Sequence, residues 1–194
     1  MRIVGILLAA GRGVRFGGAK LLVSLPGYGR RVGAGTPIGV AACRQLQKAV
    51  TEVVAVVRSG DTMLASRLRD AGARVVVCAR ADDGMGASLA CAIAATRDAD
   101  GWLVALADMP WIGAATLRAV AAALESGAVV AAPFHGDERG HPVGFGKDCG
   151  AALAALSGDE GAKSVVAAHR DRLVRVVVDD PGILRDVDTP ADLI

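Results

Sequence analysis

The feature that most constrains the fold is a recurring grammar of continuously apolar runs separated by helix-patterned stretches. The opening run, Ile3-Val4-Gly5-Ile6-Leu7-Leu8-Ala9-Ala10, has no two-residue alternation and reads as a strand buried on both faces. Further strand-like runs cover Glu52–Arg58, Ala73–Ala79, Trp102–Ala107, Ala128–Pro133 and Leu173–Val178. Helical patterning fills Thr36–Val50, Asp61–Ala71, Gly86–Thr96 and Ala114–Ser126. Strand, helix, strand in this order predicts a three-layer α/β fold, Rossmann-like, with a mixed but mostly parallel sheet flanked by helices. The rhythm weakens after Pro133, where a short segment at His141–Phe145 precedes two Ala-rich helices. That break predicts an antiparallel insertion in the sheet and not a second domain, so residues 1–194 are expected to form a single domain. Hydrophobic residues make up 53% of the chain but aromatics only 3%, so the core is expected to be aliphatic with helices packed close to the sheet.

The first strand breaks into Gly11-Arg12-Gly13-Val14-Arg15-Phe16-Gly17-Gly18-Ala19-Lys20. Glycine lets a backbone approach a ligand closely, and Arg12, Arg15 and Lys20 add the cations that a polyphosphate requires. Backbone N–H groups in such a loop are themselves anion donors. The Walker pattern is excluded, because Ala19 follows Gly18 and neither Ser nor Thr follows Lys20. The dinucleotide fingerprint is excluded as well, because a third glycine counted from Gly11-x-Gly13 falls on Phe16. What remains is Leu8-Ala9-Ala10-Gly11-x-x-x-Arg15-Phe16-Gly17-x-x-Lys20.

Two acidic positions complete the chemistry. Asp108 follows the apolar run Trp102–Ala107, at the edge of the sheet where ligands bind in such folds. The tail Asp186-Val187-Asp188-Thr189-Pro190-Ala191-Asp192 offers carboxylates on alternate residues, which share a face when extended. Magnesium needs only one or two such carboxylates beside substrate phosphates and water. A net charge of +2, with scattered arginines, argues against nucleic acid or an anionic membrane as partner. No apolar segment is long enough to span a bilayer, and the opening run has neither a basic flank nor a cleavage pattern, so a cytoplasmic location is expected. Cys43, Cys78, Cys91 and Cys149 lack close spacing and are expected to be reduced thiols, with neither zinc nor a disulfide framework. The glycine-rich segment Pro26–Gly35 reads as an exposed loop placed to cover an acceptor. Thr36-Pro37 reads as a helix N-cap followed by Pro at the first helical position.

The glycine loop resembles that of the molybdopterin cytidylyl- and guanylyltransferases and, more distantly, that of the sugar-nucleotide pyrophosphorylases. The resemblance runs from Ile3 to Asp192 and is thinnest at Leu22–Gly35. It implies Mg²⁺ held by Asp108 and Asp188, and Arg15 and Lys20 as the cations that act on the triphosphate. Leu8, Ala9, Ala10 and Gly11, together with Gly84 and Ser88 in Asp83-Gly84-Met85-Gly86-Ala87-Ser88-Leu89, would bind the nucleotide. Relatives often carry Asn at the position held here by Cys78. Arg139-Gly140-His141-Pro142-Val143-Gly144-Phe145 resembles the family's G-H-P segment on the acceptor side, where His141 would bind the acceptor or support the loop more readily than act as acid or base. Gly158-Asp159-Glu160-Gly161-Ala162 resembles its G-D-x-G-A turn.

The implied activity is transfer of a nucleotidyl group from an NTP to an acceptor phosphate, with release of pyrophosphate. Relatives with Leu-Ala-Ala-Gly mostly use CTP and those with Leu-Ala-Gly-Gly use GTP, so CTP is expected here. The implied acceptor is molybdopterin or the molybdenum cofactor, with a sugar or alditol phosphate as the alternative. Two other readings remain open at this point: a sugar-nucleotide glycosyltransferase, since Asp186-Val187-Asp188 is formally D-x-D, and a nucleotide-binding factor that delivers cofactor to a partner molybdoenzyme.

Overall fold

In the computed structural model, which describes residues 1–13, 16–26 and 35–193, the strands form one eight-stranded sheet. Its strands are β1 (Ile3–Leu8), β2 (Glu52–Arg58), β3 (Arg74–Cys78), β4 (Gly101–Leu106), β5 (Val130–His135), β6 (Glu138–Arg139), β7 (Val143–Gly146) and β8 (Leu173–Val177). They lie in the order β3-β2-β1-β4-β7-β5-β6, with β8 paired to β5. β1 pairs in parallel with both β2 and β4, and β2 with β3. The antiparallel insertion is β7, which runs against β4 and β5, followed by the short hairpin of β5 and β6. β8 then returns parallel to β5. The mixed, mostly parallel sheet expected from the sequence is therefore present.

The helices are α1 (Ile38–Leu46), α2 (Thr62–Asp70), α3 (Met85–Ala94), α4 (Ala114–Glu125), α5 (Gly150–Ala154) and α6 (Lys163–Ala168). Alternate strand residues feed two apolar layers. Ile3 and Leu7 of β1 join α1, α2 and α4 through Leu46, Leu68 and Leu117 on one face of the sheet. Val4 and Ile6 join α3, α5 and α6 through Leu89, Leu153 and Val166 on the other. Gly5 faces α1 so closely that a Cβ would lie 3.0 Å from Leu46 Cγ, which lets that helix settle onto the strand. Leu64 and Leu68 of α2 are buried while Arg67 and Asp70 on its other side are exposed, as the periodicity predicts.

One local expectation is corrected. Pro37 is itself the N-cap of α1, with ψ of 140°, and no side chain caps the helix. Thr36 is drawn away because its carbonyl accepts from Leu25 N at 2.9 Å, beside a bridge between Ser24 and Pro37. This small ladder keeps the backbone extended one residue longer.

β1 and β4 are neighbours, and the chain leaves them for opposite ends of the sheet. The gap beyond their carboxyl ends is the topological switch point, where open α/β sheets bind ligands. The loops that follow β1 and β4 carry the Gly11–Lys20 segment and Asp108.

Candidate active site

The carboxyl ends of β1 to β4 open into a cavity of about 860 Å³. One wall is the first glycine loop: Leu8, Ala10, Gly11, Arg12, Gly13, Gly18 and Lys20 all line the cavity. The path of that loop is fixed by glycine. Gly17 and Gly18 have φ of 88° and 136°, values that a side chain disfavours, and Phe16 N donates to Gly13 O at 3.0 Å to close the turn. A Cβ on Gly11 would meet nothing within 4 Å, so the absent side chain leaves open space toward the cavity. Ala10 is almost fully buried in the layer with α3, yet forms part of the wall. Ala9 points to the opposite layer, among the residues that contact α1, and does not line the cavity.

The second wall is the start of α3. Gly84 is its N-cap at φ of 113°, and Gly86 N donates to Gly158 O at 2.8 Å, so the Gly158–Gly161 turn is packed against the helix entrance. Ser88 and Asp159 also line this side. The Ser88 hydroxyl turns back to Gly84 O at 3.4 Å. Cys78, where relatives often carry Asn, is buried with its sulfur 3.8 Å from Ala87 O.

Asp108 emerges from β4 in a turn held by Met109 N donating to Leu106 O. The C-terminal tail docks beside it: Val187 is fully buried, and its N–H donates to Asp108 O at 2.9 Å. With Val187 inward, its neighbours Asp186 and Asp188 both reach Asp108. Ligand oxygens of all three carboxylates lie within 4.8 Å of one another. Two other acids hold the tail in place. Asp192 accepts from Asp188 N, Thr189 N and Thr189 Oγ1, and these bonds, those from Thr189 first, keep its carboxyl below the ordinary value. Asp180 accepts from Gly113 N, Thr116 Oγ1 and Gly182 N, tying the tail to the start of α4.

Lys20 reaches across from the glycine loop. Its Nζ lies 2.9 Å from Asp108 Oδ2 and 3.6 Å from Asp188 Oδ1, and its side chain is only 11% exposed. The structure thus brings Lys20, Asp108 and Asp188 together. Arg15 lies outside the described residues, as does most of the Pro26–Gly35 loop. Three carboxylates in reach of one another form an all-oxygen donor set that fits a hard divalent cation such as magnesium or manganese.

Sequence reasoning missed two contributors, Asp186 and Arg58. Asp186 belongs to the acid cluster, and its signal was the apolar Val187 between two acids. Arg58, at the end of β2, lines the cavity and is bonded to Asp82, which also takes Arg12 at 3.0 Å. The signal for Arg58 was a cation ending an otherwise apolar strand.

His141 stands apart from the cavity lining. Its backbone N–H donates to Ile183 O at 3.0 Å, and its ring Nδ1 is buried without a hydrogen-bond partner among the described residues. Burial, helped by the charge of Arg139 and opposed by that of Asp108, pushes its pKa down to about 4. The ring is therefore neutral near pH 7. Because the folded value lies below the unfolded one, this group's contribution is complete above about pH 6.5 and is lost as pH falls toward 4. The wild type is expected to lose about 2–3 kcal/mol more than His141→Asn on moving from about pH 7 to about pH 4. Urea unfolding at both pH values checks this; equal losses would remove His141 as the acid-sensitive group.

The cysteines are all free thiols. Burial raises Cys43 to about 11, and burial with the neighbouring Cys78 raises Cys91 to about 11, so both stay protonated and poorly nucleophilic at neutral pH. Among the described residues, no helix is long and apolar enough to cross a membrane.

Comparison with known proteins identifies the family and the fold. The MobA-like NTP transferase domain matches residues 5–173. The chain is 32% identical to nicotine blue oxidoreductase of Paenarthrobacter nicotinovorans, over 96% of this chain and 92% of that one. It is 31% identical to the purine catabolism protein PucB of Bacillus subtilis, over 98% and 93%. Rv0371c of Mycobacterium tuberculosis superposes with a TM-score of 0.80 at 30% identity, covering 98% of this chain and 94% of that one. A second crystal structure of that protein, in complex with manganese, superposes with a TM-score of 0.76 at 26% identity, covering 99% and 96%. A glycine loop and an acid cluster meeting at the switch point of this sheet, with the family match spanning most of the chain, mark it as a member of the MobA-like NTP transferase family.

Proposed function

We propose that the protein transfers a cytidylyl group from CTP to the phosphate of a molybdopterin-type acceptor, releasing pyrophosphate in a Mg²⁺-dependent reaction. The observation that carries this reading is the meeting of Lys20 with Asp108 and Asp188 beside the glycine loop. The family supplies the reaction class, and the manganese complex of the Rv0371c relative supports a divalent cation. Asp108 and Asp188, with Asp186 beside them, would hold the cation, which when bound polarises phosphate oxygens and offsets their charge.

The remaining work is positioning and electrostatics. The acceptor phosphate oxygen attacks the α-phosphorus, a new P–O bond forms, and the bond to the β-phosphate oxygen breaks with the electron pair leaving on pyrophosphate. Lys20, and Arg15 by family resemblance, would neutralise charge that grows on that leaving group. No protein nucleophile is required, and the protonated thiols of Cys43 and Cys91 offer none. His141, neutral and buried near the tail, would support the acceptor loop.

Base choice is assigned to Ala10, whose methyl narrows the wall where the base would enter; Gly there leaves room for a purine. Ala10→Gly should therefore reduce the preference for CTP over GTP by about tenfold, the range open to one methyl group. The test measures pyrophosphate release from the four NTPs, with molybdopterin and separately with sugar and alditol phosphates. CTP preference with the pterin is expected. Preference for GTP would contradict the base assignment, and turnover of CTP only with a sugar or alditol phosphate would discard the pterin. Binding of CTP without turnover, beside transfer of cofactor to a molybdoenzyme, would replace catalysis with delivery. A redox reaction without release of pyrophosphate would instead align this chain with its relative named as an oxidoreductase.

A further inference from the structure

We propose that Lys20 competes with the divalent cation for the carboxylates of Asp108 and Asp188, so that the cation is held tightly only when a nucleotide triphosphate draws Lys20 away. The inference rests on reading this site as the NTP site. Its basis is a coincidence of partners: the carboxylates that would ligate a cation are those already paired with Lys20 Nζ, at 2.9 Å from Asp108 and 3.6 Å from Asp188.

The burial of Lys20 gives the competition its strength. Its side chain is 11% exposed, whereas those of Asp108 and Asp188 are 25% and 40% exposed. A cation entering alone would sit beside an ammonium in direct contact with its ligands. Like charges at such a separation repel strongly where water is scarce. Moving Lys20 off the carboxylates without another anion would strand a poorly hydrated charge. The glycine loop that carries Lys20 lines the same cavity as Asp108, so phosphate oxygens bound there would lie within reach of the ammonium. Lys20 would then pass from carboxylate to phosphate while the carboxylates take the cation, and every charge keeps a partner. The loop permits the move, because glycines at φ of 88° and 136° immediately precede Ala19 and Lys20.

A role for Lys20 as a phosphate contact alone predicts that its removal weakens nucleotide binding and leaves affinity for the free cation unchanged. Competition predicts opposite signs: the cation alone binds better while turnover falls.

The experiment titrates Mn²⁺ alone into wild type, Lys20→Met, Lys20→Arg and Asp108→Asn. Free Mn²⁺ is read by electron paramagnetic resonance, and each variant's melting is checked against wild type. The titrations are repeated with α,β-methylene-CTP. Lys20→Met should bind Mn²⁺ alone about tenfold more tightly than wild type, and Lys20→Arg, which keeps the charge, about as wild type. The analogue should tighten Mn²⁺ binding by a larger factor in wild type than in Lys20→Met. Unchanged or weaker Mn²⁺ binding by Lys20→Met, or equal gains from the analogue, overturns the competition. Mn²⁺ binding that Asp108→Asn leaves intact overturns the site reading itself, so the two failures are separable. Should Lys20→Met fail to fold, Lys20→Gln answers the same question with a polar, uncharged side chain.

Discussion

Asp108→Asn and Asp188→Asn should each remove metal-dependent turnover, with kcat falling by about 10²-fold or more while the fold is retained. Asn keeps the size of the side chain and one acceptor oxygen, so the change removes charge with little change in packing. The backbone anchors the tail independently of either carboxylate, through the bond from Val187 N to the Asp108 carbonyl, with Val187 fully buried behind it. Each change removes one of the two charges paired with the largely buried Lys20, so both variants should stay folded but melt somewhat below wild type. Asp186→Asn should cost less than either, because Asp186 is exposed and Lys20 pairs with Asp108 and Asp188 instead, although the Asp186 carboxylate belongs to the same cluster. Pyrophosphate release measured against Mg²⁺ concentration checks all three. Near-normal activity in Asp108→Asn or Asp188→Asn would remove that residue from the proposed site.

Gly84→Ala should have the largest effect on stability of the changes considered. Gly84 caps α3 at φ of 113° and ψ of −177°, a region open almost only to glycine. A Cβ there would also lie 2.4 Å from the carbonyl carbon and oxygen of Gly158, which are backbone atoms that cannot turn aside as a side chain would. Backbone strain and overlap together should cost about 3 kcal/mol or more, lowering Tm by roughly 6–12 °C for a chain of this length. The same change shifts the Gly158 turn and the cavity wall that Gly84 and Ser88 form, so nucleotide affinity should fall with it. Gly11→Ala is the control: its Cβ meets nothing within 4 Å, and it should melt as wild type. An unchanged melting temperature for Gly84→Ala would contradict the close packing of the turn on α3.

Much of this architecture was legible where burial and period coincide. Glu52–Arg58 is β2 with the bounds read from the sequence, and Ala114–Ser126 exceeds α4 by one residue. The acid after β4 and the glycine loop after β1 were legible for a topological reason, since both follow buried parallel strands and must emerge at one edge. β5 was read two residues early, because Pro133 looked like a strand end. The strand tolerates Pro133 because it sits between two partial ladders: β7 pairs only with Val130 and Ala131, and β6 with Phe134 and His135. β6 gave no apolar signal at all, since both its residues are exposed and charged; the hairpin turn at Gly136, with φ of 59°, creates it. The role of Asp186 was hidden because a D-x-D run reads equally well as a solvated turn until Val187 is seen to be buried. The ion pairs of Asp82 with Arg12 and Arg58 join three segments distant in sequence, and no local pattern announces them.

The most direct test of nucleotidyl transfer follows the phosphorus. Protein, Mg²⁺ and acceptor are incubated in parallel with CTP labelled at the α-phosphorus and with CTP labelled at the γ-phosphorus, and label is followed into the acceptor and into pyrophosphate. The account predicts that α-label enters the acceptor product and γ-label leaves wholly as pyrophosphate, both lost in Asp108→Asn. Appearance of γ-label in the acceptor, or no transfer of either label while another reaction proceeds, would contradict it.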